Sequence, residues 1–182
     1  MSLKKIKINN KEGIFIWITG LAGSGKSTIS RILKKKFEKE YGPTLLISGD
    51  SLRNIFKNRS YSKQDRILFA KQKLNFCKFI LRQRINVIYS TISLLKIIRK
   101  INKESTKNYI EIYIKTNIKK IISLKKKKLY HKKKKKNVWG IDLKPEFPTK
   151  PHILIKNKFD KSLSEISSSI FINLKKTLIK TN

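Results

Sequence analysis

In "WITGLAGSGKSTISRIL", residues 17–33, a glycine-rich turn separates an apolar run from a segment of helical period. Within it, "GLAGSGKS" matches the pattern G-x-x-x-x-G-K-[ST] at Gly20, Gly25, Lys26 and Ser27. The pattern is specific where a strand precedes it and a helix follows. Both conditions are met here, because the apolar run "IFIWIT" leads directly into the turn. The stretch therefore predicts a phosphate-binding loop.

The residue types of this loop suit a nucleoside triphosphate. Glycine lets the backbone curl until successive N–H groups point at phosphate oxygens, at approaches that a Cβ would block. Lys26 offers a cation to the β and γ phosphates, the Ser27 hydroxyl is a ligand for Mg²⁺, and the following helix adds the positive end of its dipole. We expect a nucleoside triphosphate, with Mg²⁺ as cofactor, to contact Gly20, Leu21, Ala22, Gly23, Ser24, Gly25, Lys26, Ser27 and Thr28.

Apolar runs of strand length alternate with longer segments of helical period along the rest of the chain. The predicted strands are residues 14–19, 44–48, 86–92, 109–114 and 152–155. The predicted helices are residues 27–40, 51–57, 63–83, 94–103, 117–128 and about 160–179. This alternation is typical of an α/β protein. We expect a P-loop NTPase fold of the nucleotide-kinase kind, with three α/β/α layers around a five-stranded parallel sheet, in one domain over residues 1–182.

The composition is strongly basic, with 45 Lys and Arg against 11 Asp and Glu and a formal net charge of +34. Charge alone would favour nucleic acid or an anionic membrane as a partner. However, Lys, Ile and Asn are abundant while alanine occurs only at Ala22 and Ala70, the pattern that a strongly AT-rich genome imposes on any protein. The weaker expectation is a surface that attracts anions, nucleotides included, and binds them less tightly as salt rises.

Sequence features also bound the location of the protein. No stretch reaches the roughly 18 apolar residues of a membrane span, and the start "MSLKKIKINNKEG" has no apolar core of signal-peptide length. We therefore expect a cytoplasmic protein with no membrane partner. The single cysteine, Cys77, excludes a disulfide within the chain, and its neighbours Phe76 and Phe79 predict a buried thiol.

One lysine-rich segment has low sequence complexity. From Lys125 to Lys136, nine of twelve residues are lysine, so the isolated segment would repel itself and stay extended. One interpretation is a solvated loop. The other is a short basic lid, at about residues 125–140, that closes over the phosphates and excludes water.

Acidic residues distinguish among phosphate-loop proteins. A GTPase needs two motifs, N-K-x-D and D-x-x-G. "NKFD" occurs at 157–160, but D-x-x-G is absent from the sequence. We therefore interpret "NKFD" as a coincidence. Motor ATPases and helicases place an acid at the end of a later apolar strand, whereas "NVIYSTIS" ends in hydroxyls. The acid here is Asp50, in "LLISGDSLR" directly after the second predicted strand, where small-molecule and nucleotide kinases build their acceptor site.

These motifs together resemble the adenylylsulfate kinase family, which phosphorylates the 3′-hydroxyl of adenosine 5′-phosphosulfate with MgATP. The resemblance covers roughly residues 13 to 157 and is stronger in the first half. The matching motifs are "WITGLAGSGKST" (17–28), "ISGDSLR" (47–53), "YSKQDR" (61–66), "TIS" (91–93), "KKLY" (127–130), "GID" (140–142) and "KPEFPTKP" (144–151).

The resemblance implies roles for individual residues. It implies that Asp50 is catalytic beside Lys26, as a base or an orienting carboxylate near the acceptor hydroxyl. It implies that Arg53 and Arg66 grip the acceptor's phosphate-linked groups, which suits the planar guanidinium fork. The other implied substrate contacts are Tyr61, which could stack on the acceptor base, Ile92 and Ser93.

Each role has a plain structural alternative. Asp50 could be only a helix N-cap, and Arg66 could be only an ion-pair partner of Asp65. Tyr61 and Ser93 could serve ordinary packing or capping.

Several residues depart from the family pattern. Ser48 replaces the first aspartate of D-G-D, which removes a carboxylate, and Phe69 replaces an asparagine that would give one substrate hydrogen bond. After "TIS", "LLK" replaces the Pro-Tyr-Arg that is usual in the family. Leu124 and Lys125 replace the usual Arg-Asp, and the predicted lid is shorter than that of the family. The departures favour either changed specificity or decayed catalysis.

Three classes of function follow. The first is a nucleotide 3′-kinase with adenylylsulfate as the favoured acceptor and, as the alternative, cytidine diphosphoramidate, since "NKESTKNYIEIYIK" and "KNVWGID" resemble a capsule-associated branch of the family. The second is a catalytically weak ATP-binding relative. The third, favoured by charge alone, is a nucleic-acid protein; because the sequence lacks interleaved aromatic and basic residues, we expect no specific nucleic acid. A homodimer is left open.

Overall fold

The glycine-rich stretch follows the central strand of a parallel sheet. A computed structural model of the chain describes residues 5–57, 60, 62–124 and 138–180. Its strands are β1 (Ile6–Ile8), β2 (Phe15–Thr19), β3 (Thr44–Ser48), β4 (Asn86–Thr91), β5 (Tyr109–Lys115), β6 (Ile153–Lys156) and β7 (Leu178–Lys180). Over the described residues, the main sheet has five parallel strands in the order β3-β4-β2-β5-β6. The predicted sheet is confirmed.

The helices fall between the strands as expected for an α/β protein. They are α1 (Lys26–Tyr41), α2 (Gly49–Ile55), α3 (Lys63–Arg82), α4 (Lys96–Ser105), α5 (Ile118–Ser123) and α6 (Leu163–Thr177). Most ends lie within two or three residues of the predicted ones. The predicted end of the fifth helix, residue 128, lies outside the described residues.

Alternation along β2 shows why the fold has three layers. Phe15 and Trp17 point to one face, where the side chains of α3 and α4 pack. Ile16 and Ile18 point to the other face, which α1 and α6 cover. Successive strand residues face opposite sides of a sheet, so a strand buried on both sides is apolar at every position. The two cores confirm the predicted α/β/α architecture.

One predicted boundary is wrong at the C-terminal end. The helix predicted to run to about residue 179 ends at Thr177, and residues 178–180 form β7, which pairs in parallel with β1. The physical reason is burial: Leu178 packs with Ile8 in the α1/α6 core, which an extended backbone allows. The start of α6 has a capping box, in which Ser162 and Glu165 each bind the other's backbone N–H.

Two further sequence expectations can be compared with the fold. Cys77 is buried, as predicted, and burial raises the pKa of its thiol to about 12. Across the described residues, every helix is too short or too polar to span a bilayer.

Candidate active site

The phosphate loop has the backbone geometry that its glycines predict. At Gly25, φ is 89°, in the left-handed region that favours glycine, and this residue starts α1. A Cβ added there would lie 2.8 Å from Leu163 Cδ2, so α6 also packs closely against the loop. At Gly20 an added Cβ would lie 2.5 Å from the Ile114 carbonyl oxygen of β5. The loop is thus enclosed by β5 and α6, with its open side at the start of α1.

Lys26 folds over the loop that precedes it. Its side chain is buried, and Nζ donates to the Leu21 carbonyl at 2.6 Å and to Ser24 Oγ at 3.3 Å. The next two residues, Ser27 and Thr28, lie exposed in the first turn of α1. The loop therefore presents an ammonium group, a helix N-terminus and two exposed hydroxyls together, which is a suitable environment for a chain of phosphates.

Asn157 is a support of the loop that the sequence analysis missed. The residue is buried directly after β6, its Nδ2 donates to the Ser24 carbonyl at 3.1 Å, and its Oδ1 accepts from the Phe159 N–H at 2.8 Å. The "NKFD" stretch is thus explained by this structural contact of its asparagine. Its position after an apolar strand was the available signal.

The carboxyl ends of β2, β3 and β4 bring the loop and the acceptor side together. Thr19 Oγ1, at the end of β2, donates to the Ser93 carbonyl at 3.2 Å. A Cβ at Gly49 would lie 2.9 Å from Thr91 Oγ1, so the start of α2 lies against the end of β4. Because β4 lies between β2 and β3, and neighbouring strands lie about 4.8 Å apart, the start of α2 is about 10 Å from the phosphate loop. A terminal phosphate and an acceptor hydroxyl fit into such a gap.

Asp50 lies in the first turn of α2 and is exposed. The alternative that Asp50 only caps the helix is wrong, because Ser48 is the N-cap: its Oγ accepts from the Ser51 N–H at 2.9 Å. The same contact explains the departure at Ser48, whose hydroxyl does the capping that a carboxylate could do. The Asp50 carboxylate takes no part in this cap and lies at the carboxyl edge of the sheet.

Arg53 and Arg66 each lie against an aromatic ring. The Arg53 guanidinium is 5.2 Å from the Phe69 ring centroid, and Nη1 donates to the Ser60 carbonyl at 2.8 Å. The Arg66 guanidinium is 5.2 Å from the ring centroid of Trp139. A guanidinium group is attracted to the face of an aromatic ring, and these contacts help to hold both side chains in place. Trp139 is a further residue that the sequence analysis missed.

The suggested pairing of Arg66 with Asp65 is also wrong. The Asp65 carboxylate accepts from the hydroxyls of Ser60 and Ser62, and those two hydrogen bonds, Ser60 first, lower its pKa. The Ser62 hydroxyl also caps α3 by accepting from the Asp65 N–H at 3.1 Å. Asp65 thus organises the start of α3 and leaves Arg66 to face Trp139.

The other expected substrate residues are placed as follows. Ile92 and Ser93 are half-buried directly after β4, and the Ser93 N–H donates to Thr91 Oγ1 at 3.4 Å. Tyr61 lies outside the described residues, and so does most of the predicted lid, residues 125–137. Of the lid, Val138 and Trp139 are buried.

The side chains near the phosphate loop limit how Mg²⁺ could be bound. Among the described residues no group of three or more His, Cys, Asp or Glu side chains could hold a metal ion. Mg²⁺ in kinases commonly keeps several waters and binds through one or two protein oxygens together with substrate phosphates. The exposed hydroxyl of Ser27, beside the phosphate loop, fits that arrangement.

Three features together define a P-loop kinase. The phosphate loop follows the central strand β2, an acidic residue follows β3, and basic groups lie on the helices after β3. The chain belongs to the adenylylsulphate kinase family, whose family model matches residues 12–156. It is a nucleotide kinase of that family.

Individual relatives differ in their acceptors. The cytidine diphosphoramidate kinase of Campylobacter jejuni is 38% identical over 153 residues, covering 82% of this chain and 89% of that protein. The adenylyl-sulfate kinase of Clostridium kluyveri is 32% identical over 159 residues, covering 85% and 80%. The solved structure of Mycobacterium tuberculosis APS kinase with AMPPNP and APS shares the fold, with a TM-score of 0.79 at 23% identity over 90% of this chain and 98% of that chain.

Proposed function

We propose that this protein transfers the γ-phosphoryl group of ATP to the 3′-hydroxyl of a cytidine nucleotide with a diphosphoramidate-like tail. The observation that carries the choice of acceptor is the 38% identity to a cytidine diphosphoramidate kinase over 89% of that protein. The initial preference for adenylylsulfate receives less support, since the adenylyl-sulfate kinase of Clostridium kluyveri is 32% identical. Adenylylsulfate as the acceptor therefore becomes the second hypothesis.

The geometry of the site supports direct in-line transfer. In phosphoryl transfer the protein contributes mainly positioning and charge neutralisation. Lys26 and the amides of the phosphate loop hold the triphosphate, and its terminal phosphate extends toward the carboxyl ends of β3 and β4. Asp50 meets the acceptor from the opposite side, where its carboxylate accepts or orients the proton of the attacking hydroxyl.

The acceptor is held by the basic groups of α2 and α3. Arg53 and Arg66, stacked on Phe69 and Trp139, present their N–H groups to anionic oxygens of the acceptor tail. Mg²⁺ at the Ser27 hydroxyl supplies charge neutralisation at the β and γ phosphates when it is bound.

The second candidate acceptor is adenylylsulfate. It is supported by the family match over residues 12–156. Both acceptors carry a nucleoside, a phosphate and a further group joined to that phosphate, so the same two arginines could serve either.

The test is a coupled assay of ADP release with cytidine diphosphoramidate, adenylylsulfate, CMP and AMP as acceptors. We expect the highest kcat/KM with cytidine diphosphoramidate, and product analysis should place the new phosphate on the 3′-oxygen. A preparation of Lys26→Ala made in parallel controls for contaminating kinases. ATP binding without any acceptor-dependent ADP release would contradict the proposal and indicate a catalytically weak relative.

A further inference from the structure

Lys73 is a buried lysine that the proposed mechanism does not use. It lies on α3, one turn after Phe69, and only 7% of its surface is exposed. Nζ is 4.7 Å from the Phe69 ring centroid and 5.6 Å from that of Tyr89. Lysine is almost never fully buried without a partner. Within the described part of the chain, Nζ contacts these two rings, and it is not among the fully buried side-chain atoms that lack a hydrogen-bond partner, so the ammonium group keeps a narrow access to solvent.

Packing does not explain a lysine at this position. A methionine or leucine would fill the same space without the cost of removing an ammonium group from water. The two rings stabilise a cation only partly. A largely buried ammonium group that still reaches solvent therefore indicates a binding role, in which an anionic group of a ligand pairs with it.

The charged groups around Lys73 come from three elements. Arg53 and Asp50 face it from α2, Arg66 and Cys77 from α3, and Tyr89 from β4. Burial first, and then Arg53, lower the pKa of Lys73 to about 8, which still leaves it mostly protonated at pH 7.

The remaining groups give little compensation. Burial raises the pKa values of both Cys77 and Tyr89, so these groups are neutral at pH 7. In this set, Asp50 is the single carboxylate opposite two arginines and Lys73, and it is exposed. The cluster therefore has an excess of positive charge that a dianionic ligand would balance.

We propose that Lys73 is a specificity-determining residue of the acceptor site, which binds the terminal anionic group of a nucleotide tail that has two linked tetrahedral groups. The proposal rests on the proposed function, since Arg53 and Arg66 are taken to hold the same tail. The two arginines are only half-buried, whereas Lys73 is buried. Lys73 therefore binds the second, terminal group of the tail, and the arginines bind the phosphate that is attached to the sugar. A tail with a single phosphate does not reach Lys73.

The experiment measures equilibrium binding of two cytidine nucleotides, CDP and CMP, to protein saturated with a non-hydrolysable ATP analogue. Saturation keeps both probes out of the ATP site. Wild type should bind CDP at least tenfold more tightly than CMP. Lys73→Met should lose most of that preference by weakening CDP alone, while the affinity for the ATP analogue stays unchanged. Lys71→Met, on the exposed side of α3, is the matched control and should behave as wild type.

The pH dependence of CDP affinity is a second measurement, and a purely structural role of Lys73 would not affect it. The protonated ammonium binds the anion, so wild-type affinity for CDP should fall as the pH rises through about 8, and Lys73→Met should lack this step. Thermal unfolding of Lys73→Met should occur no lower than in wild type, because the variant removes a desolvated charge.

These binding measurements test the role of Lys73 independently of the proposed kinase activity. A twofold or smaller change in the CDP preference of Lys73→Met would overturn it, and so would wild-type protein that does not distinguish CDP from CMP. If no acceptor supports ADP release but CDP binding depends on Lys73, the proposed function fails while the binding role of Lys73 stands.

Discussion

The Nδ2 of Asn157 donates a hydrogen bond to the Ser24 carbonyl at 3.1 Å, which joins the end of β6 to the phosphate loop. The two residues are 133 positions apart in sequence, and both are buried. Since the loop must hold its amides in one arrangement before phosphate arrives, we expect this contact to contribute to ATP affinity through the loop's geometry. We therefore expect Asn157 to be a positioning residue rather than a catalytic one.

Asn157→Ala should raise the KM for ATP severalfold and leave the KM for the acceptor near its wild-type value. Removing one partner leaves the Ser24 carbonyl unsatisfied, so the free energy of unfolding should fall by about 1–3 kcal/mol. Steady-state kinetics and urea denaturation check the two effects. Asn75→Ala, on the exposed side of α3, is the control. Equal ATP KM values for the two variants would remove the positioning role.

Lys26→Ala should reduce kcat by about 100-fold or more, because the ammonium group neutralises charge that develops on the transferring phosphoryl group. ATP binding, measured by calorimetry, should also weaken. Lys35→Ala removes an exposed lysine from the same helix and should leave both quantities unchanged. Activity of Lys26→Ala within tenfold of wild type would contradict the assignment of the phosphate loop.

Asp50→Asn should lower kcat by about 10²- to 10⁴-fold, the usual range for loss of a general base, while the KM for ATP changes little. The amide keeps the size of the side chain, so the start of α2 stays intact. Rapid-quench measurement of the chemical step provides the test. Asp160→Asn, an exposed aspartate before α6, serves for comparison. A wild-type kcat in Asp50→Asn would exclude Asp50 from the mechanism.

Glu111 predicts a pH dependence of stability outside the active site. Its carboxylate is buried 3.2 Å from Arg99 Nε, yet burial outweighs Arg99 and raises its pKa from 4.5 to about 7. The folded state therefore holds the proton more tightly than the unfolded state. This contribution to stability is complete below pH 4.5 and is lost as the pH rises through about 7.

Urea denaturation between pH 4.5 and 8 measures this loss, which amounts to up to about 3 kcal/mol because each pKa unit corresponds to about 1.4 kcal/mol. Glu111→Gln should flatten the profile. Glu104→Gln, at an exposed site, should keep the wild-type slope. Parallel profiles for Glu111→Gln and wild type would contradict the assignment.

The main sheet and the phosphate loop could be predicted from sequence because both depend on local pattern. Strands covered on both faces are apolar at almost every position, as in "IFIWIT", and the loop needs glycine and lysine at fixed spacing. The placement of Asp50 at the carboxyl edge of the sheet also followed, because it comes directly after a predicted strand and parallel strands end at one edge. These features need no knowledge of distant contacts.

The missed features depend on contacts between distant parts of the chain. Trp139 gains its role from Arg66 on another element, and Lys73 from the rings of Phe69 and Tyr89. Each is an ordinary residue in its own segment. β1 and β7 are three residues each, too short for a period-2 pattern, so only their mutual pairing defines them.

That pairing also constrains the order in which the protein can be completed during translation. Ile6 is paired with Leu178, so the partner of the first strand is made about 170 residues after it. At bacterial-like rates of roughly 5–20 residues per second, β1 waits on the order of 10–30 s with its backbone groups unpaired. The segment that contains β1 therefore docks only after residues 178–180 have been made, and removing β7 would leave β1 without its partner strand again.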